Sequence, residues 1–186
     1  MITLKHCREG AKLKFFSPVT DKKIPGCDLI YIGGGFPEVL GQSLERNATM
    51  RKLMKKRAED GTPIYAECGG LMYLTKSISF GKKRYKMVGL FDAETQMTEK
   101  MTLNYTEGKI TSNCLVSGPA KFRAHEFHYS KIRNIPRDVK LVYDLKIGEG
   151  ISGKKDGLSE YNTLASYCHL YFDSAKYATK LVSKRV

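Results

Sequence analysis

The chain has 186 residues, 41% of them hydrophobic, which suits one α/β domain with a buried core. Its formal net charge is +13, yet the densest basic runs, Lys55-Lys56-Arg57 and Lys82-Lys83-Arg84, are three residues each without interleaved aromatics, so they read as a solvated basic face rather than a nucleic-acid surface. Five cysteines, at 7, 27, 68, 114 and 168, form no CxxC pair, and no apolar run is long enough to span a bilayer, which argues against a disulfide framework, a zinc knuckle or a membrane protein and for a reducing cytoplasm.

Residues 2–9 read as the end of a helix stopped by Gly10, and residues 13–16 as a short apolar strand. A doubly wound domain opens with a strand before that helix, so the chain reads as one lacking its first strand. Residues 28–32 form a second strand pattern, which runs into Gly33-Gly34-Gly35-Phe36-Pro37-Glu38, a loop whose glycines permit geometry that a β-carbon obstructs. Met50, Leu53, Met54 and Ala58 recur at helical spacing before Gly61, predicting an amphipathic helix over residues 47–59 whose apolar stripe is core.

Residues 63–66 predict a brief strand leading into Glu67-Cys68-Gly69-Gly70-Leu71-Met72-Tyr73, whose continuation through Leu74 suits a helix. This strand and helix order argues for an α/β fold with a doubly wound, mostly parallel sheet, in which reactive groups sit at the carboxyl ends of strands. Cys68 falls at such an end. From 84 to 143 the pattern turns to strands and hairpins, including 101–105 and 121–129. Residues 163–168 form the last strand, followed by His169 and a closing helix over 174–182.

A cysteine at a strand-to-helix turn can expose its sulfur, while the helix N-terminus favours a thiolate and points free N–H groups at an oxyanion. Gly69 and Gly70 would let a substrate approach closely. On these residues alone, Cys68 is either a nucleophile or a small buried hydrophobe. His125-Glu126-Phe127-His128 is HExH, not the HExxH that places two histidines on one helix face. In a strand Glu126 and His128 share one face and His125 takes the other, so no metal site is expected there.

Four ordered blocks carry a resemblance: Tyr31 to Glu38, Tyr65 to Tyr73, Arg123 to Ser130, and Leu164 to Leu170. Together they resemble the C-terminal glutaminase domain of cobyrinic acid a,c-diamide synthases, a class I glutamine amidotransferase domain of the cobyric acid synthase type. The resemblance implies a flavodoxin-like fold over residues 1–186, N-terminally truncated, with Cys68 as nucleophile and His169 as base and later acid. It also implies an oxyanion hole from the N–H groups of Gly34, Gly35 and Gly69. Glu126 and His128 would line the glutamine pocket or serve as structural hydrogen bonders. Many class I members carry a glutamate two positions after the histidine; here that position is Tyr171, which leaves a dyad with its orienting group open. Ala124 stands where the family block usually has glycine.

Similar full-length enzymes carry an N-terminal amidoligase domain that uses ATP and Mg to activate tetrapyrrole carboxylates. The present sequence contains no GxxxxGK[ST] phosphate loop, so no cofactor is expected in this domain, and an amidoligase domain or subunit is the implied partner. The expected role is glutamine hydrolysis that supplies ammonia for amidating the a and c carboxylates of cobyrinic acid in cobalamin biosynthesis. The alternatives are the same chemistry on nickel-sirohydrochlorin for coenzyme F430, or a non-catalytic interaction module with the same fold.

Overall fold

The computed structural model describes residues 12–116 and 120–171. The helices expected at 2–9 and 174–182 lie outside the described residues. In chain order the elements are β1 (Ile30–Ile32), α1 (Gly41–Arg46), α2 (Ala48–Glu59), β2 (Ile64–Glu67), α3 (Gly69–Leu74), β3 (Ser77–Phe80), β4 (Lys83–Lys86), β5 (Glu94–Ile110), β6 (Ala120–Arg133), β7 (Lys140–Ile147), β8 (Lys155–Glu160), β9 (Thr163–Ser166) and β10 (His169–Leu170).

The strands form one mixed sheet in the order β1-β2-β9-β8-β7-β5-β3-β4, with β6 against β5 and β10 against β6. Its parallel part is β1, β2 and β9, where Ile30 lies beside Ile64 and Ile64 beside Thr163; β3 and β5 are also parallel. The remaining pairs are antiparallel, dominated by the β5–β6 ladder that runs from Glu94 opposite Arg133 to Ile110 opposite Ala120.

Strand β2 is buried along its whole length because cores lie on both of its faces. Ile64 and Ala66 join the core built with Met50, Met54, Leu71 and Leu74, whereas Tyr65 packs with Phe122, Tyr143 and Leu164 on the other side. Helix α2 contributes Met50, Met54 and Ala58, each fully buried and spaced by four. It begins where the Asn47 side chain accepts the Met50 N–H and ends before Gly61, whose φ of 81° suits glycine.

The expected strand at 13–16 is a correction, since those residues form no strand and Phe15 is 88% exposed. An apolar run becomes a strand only when a neighbour completes its hydrogen bonds, and among the described residues no strand pairs with it; the Lys14 Nζ donates to the Gly26 carbonyl.

Candidate active site

Three adjacent parallel strands, β1, β2 and β9, end at the same side of the sheet, so the segments that follow them meet there. The glycine loop follows β1, Cys68 follows β2, and the Tyr167-Cys168 turn after β9 delivers His169. This shared edge brings together Gly34, Gly35, Cys68, Gly69 and His169.

Cys68 occupies a sharp elbow with φ 48° and ψ −102°, outside the regions that residues with a β-carbon favour. The elbow is held from both sides. Cys68 N–H donates to the Ser166 carbonyl at 2.7 Å, and its own carbonyl accepts from Met72 at 3.0 Å in α3. The sulfur lies 3.4 Å from the Phe127 carbonyl oxygen and in hydrogen-bonding contact with His169.

The glycines flanking it serve packing. A β-carbon on Gly69 would stand 2.7 Å from the Gly35 carbonyl oxygen, and one on Gly70 would stand 2.4 Å from that of Ile32. These two glycines therefore let α3 abut β1 and the loop that follows it. A β-carbon on Gly34 would come within 2.7 Å of His169 Cε1, so the loop lies directly over the imidazole edge.

His169 sits opposite His125 in the β10–β6 pair, and the two rings stack with centroids 4.7 Å apart at 8°. Its Nδ1 is 3.5 Å from Glu67 Oε2. Hydrogen bonding with Cys68, then with Glu67, raises the imidazole from its ordinary 6.5 to about 9, so it is an imidazolium at neutral pH. Burial and the neighbouring His169 cation push His125 down, keeping it neutral beneath the charged ring.

Glu67 was not singled out from sequence. Its side chain is 2% exposed, and all of its acceptor sites are filled. Oε1 accepts from Tyr65 Oη at 2.9 Å and from Leu170 N–H at 3.2 Å; Oε2 accepts from Tyr31 Oη at 2.7 Å and faces His169. Burial alone would raise this carboxyl, but the hydrogen bonds from His169, Tyr31 and Tyr65 outweigh it and hold it below its ordinary value. A fully buried acid at a strand end needs such partners, and these come from other strands, so no local pattern announces them.

Glu126 and His128 do share the buried face of β6, with His125 on the exposed one. Glu126 is fully buried and both its oxygens are engaged, by the N–H groups of Glu149 at 2.9 Å and Gly150 at 2.6 Å, so it braces that turn. His128 stacks on Tyr167 at 3.6 Å. Its Nδ1 lies 2.9 Å from the Ser130 carbonyl and so carries the proton; burial lowers its pKa, leaving a neutral ring whose buried Nε2 is an acceptor with no partner among the described residues.

Asp156, also missed from sequence, accepts the N–H groups of Gly157, Tyr167 and Cys168. It thereby shapes the turn that presents His169. Burial pushes its carboxyl up to about 6 despite those bonds. Asp156, Glu126 and Cys168 lie close together, but their carboxylates are committed to backbone N–H groups. Tyr171 is 61% exposed and holds the strand edge through its N–H on the Arg123 carbonyl.

A parallel-edge site with a cysteine elbow, an adjacent histidine and a glycine loop defines a class I glutamine amidotransferase fold. Solved structures agree on the fold. PurLQS from Thermotoga maritima superposes with a TM-score of 0.62 at 17% identity over 81% of this chain and 72% of that one. A crystal structure of a glutamine amidotransferase gives 0.54 at 17% identity over 76% and 70%.

Residues 5–177 match the CobB/CobQ-like glutamine amidotransferase domain, and the chain belongs to that family. The cobyrinate a,c-diamide synthase of Sulfurisphaera tokodaii is 46% identical over 89% of this chain and 38% of its own length. That of Methanosarcina barkeri is 43% identical over 87% and 36%. The chain thus spans little more than a third of these curated relatives.

Proposed function

We propose that the chain hydrolyses glutamine at Cys68 and supplies the ammonia to an ATP-dependent amidoligase that amidates the a and c carboxylates of cobyrinic acid. The observation that carries the hydrolysis is the meeting of Cys68, His169 and the glycine loop at one strand edge. The Cys68 thiolate attacks the side-chain amide carbon, and the resulting oxyanion takes hydrogen bonds from the N–H groups of the Gly34-Gly35 loop and Gly69. His169 gives its proton to the departing nitrogen, and ammonia leaves. The now neutral imidazole takes a proton from water, which attacks the γ-glutamyl thioester, releases glutamate and restores the thiolate–imidazolium pair.

The Nε2 of His128, without a partner among the described residues, would accept a hydrogen bond from a donor group of glutamine, while Glu126 acts behind it by holding the turn at 149–150. The names of the relatives favour cobyrinate over nickel-sirohydrochlorin as the final acceptor. ATP and Mg chemistry is assigned to the partner amidoligase.

Cys68→Ser is expected to abolish glutamate release from glutamine while leaving the circular dichroism spectrum unchanged, because an alcohol ionises far less readily than a thiol and is the weaker nucleophile. Near-normal release by a folded Ser variant would overturn the assignment. Wild-type Cys68 should also be labelled by a glutamine-analogue electrophile, whereas a non-catalytic module with this fold would not react.

A further inference from the structure

We infer that Glu67, on the strand that ends in the nucleophile, is the carboxylate that orients His169, completing a Cys68–His169–Glu67 array whose acid comes from a neighbouring strand. This rests on the glutaminase reading above and names the positioning group which that reading lacks.

The geometry separates the two ring nitrogens of His169. Nδ1 faces Glu67 Oε2 at 3.5 Å, which leaves Nε2 for the sulfur. The placement of Gly34 agrees, since a β-carbon there would meet His169 Cε1 at 2.7 Å, Nε2 at 3.5 Å and Cys68 Cβ at 3.8 Å. The nitrogen that exchanges protons is therefore on the cysteine side of the ring. A carboxylate at Nδ1 fixes the proton there in the neutral ring, so the Nε2 lone pair is always available to water in the deacylation step.

Glu67 is equipped to hold this position. Tyr31 and Tyr65 hydroxyls pin its two oxygens from one side, and the Leu170 N–H fixes Oε1 from the other. The same carboxylate thus grips the backbone next to His169 and the His169 side chain, setting both its place and its rotation. His125 stacks on one face of the ring, so the imidazole has little freedom left. Residue 171, two positions beyond His169, cannot provide the acid because it is a tyrosine and 61% exposed.

The test compares wild type, Glu67→Gln and Glu67→Asp, measuring glutamate release against pH and following His169 by 15N and 1H NMR with histidine-labelled protein. Wild type should show Nδ1 protonated through the whole titration. Glu67→Gln should lower kcat by about tenfold to a hundredfold with little change in KM, and should bring the basic limb of the kcat profile down by at least about one pH unit. Glu67→Asp, which keeps the charge, should recover part of the rate and most of the limb. If neutral His169 carries its proton on Nε2 in wild type, Glu67 is not the orienting group, and this readout survives even if Glu67→Gln fails to fold. Unchanged kcat and limb in a folded Glu67→Gln would also overturn the inference. A wild-type chain without glutaminase activity would instead overturn the function proposed above.

Discussion

His169 carries the clearest consequence at the level of single residues. Its pKa is raised from 6.5 to about 9 in the folded chain, so its contacts with Cys68 and Glu67 stabilise the fold fully below about 6.5, and that contribution is lost as pH climbs through about 9. Glutamine hydrolysis should fall over the same upper range, because a neutral ring cannot protonate the leaving nitrogen. A rate profile whose alkaline limb lies near the ordinary histidine value would contradict the pairing. His169→Ala should lower turnover by at least about a hundredfold, and a loss below about threefold would point to another base. Cys68 and His169 were legible in the sequence because each lies in a motif block. Glu67 was not, although it immediately precedes Cys68, because its partners Tyr31 and Leu170 come from other strands and no spacing advertises them.

At the scale of elements, the contact between α3 and the β1 loop sets what the glycines tolerate. Gly69→Ala drives a methyl against the Gly35 backbone, which cannot swing aside as a side chain can, and should cost about 1–3 kcal/mol in denaturant melts along with most of the activity. Gly35→Ala meets open space and should change stability by less than about 0.5 kcal/mol. Equal losses from the two would show that the loop and α3 separate readily.

Local pattern was enough to find α2, whose Asn47 cap and Met50–Met54–Ala58 stripe are contained within one segment, and to find the turn from β2 into α3. It was not enough for residues 13–16, where an apolar run has no ladder partner among the described residues, nor for the full length of β5 and β6. That ladder depends on long-range pairing and on a register shift between Met97 and Thr102, which no local signal encodes.

For the whole molecule, the relatives' length bears on what the chain can accomplish unaided. It spans 38% of the Sulfurisphaera tokodaii synthase, and it carries no GxxxxGK[ST] loop. Supplied with glutamine, ATP, Mg and a tetrapyrrole acid, it should release glutamate and ammonia without forming an amide, as followed by mass spectrometry of the tetrapyrrole. Diamide formed by the chain alone would overturn the proposed division of labour.

The Cys68 elbow also sets a limit on thermal resistance. A backbone at φ 48° and ψ −102° is strained for any side chain but is the mirror image of an ordinary extended conformation, which glycine adopts freely. Replacing an alanine by glycine usually weakens a protein, since glycine gains more freedom on unfolding. At position 68 the order should reverse. A Cys68→Gly chain should melt at a higher temperature than Cys68→Ala, with both inactive, because the sheet holds this one peptide in a shape that only the chemistry of a thiol requires.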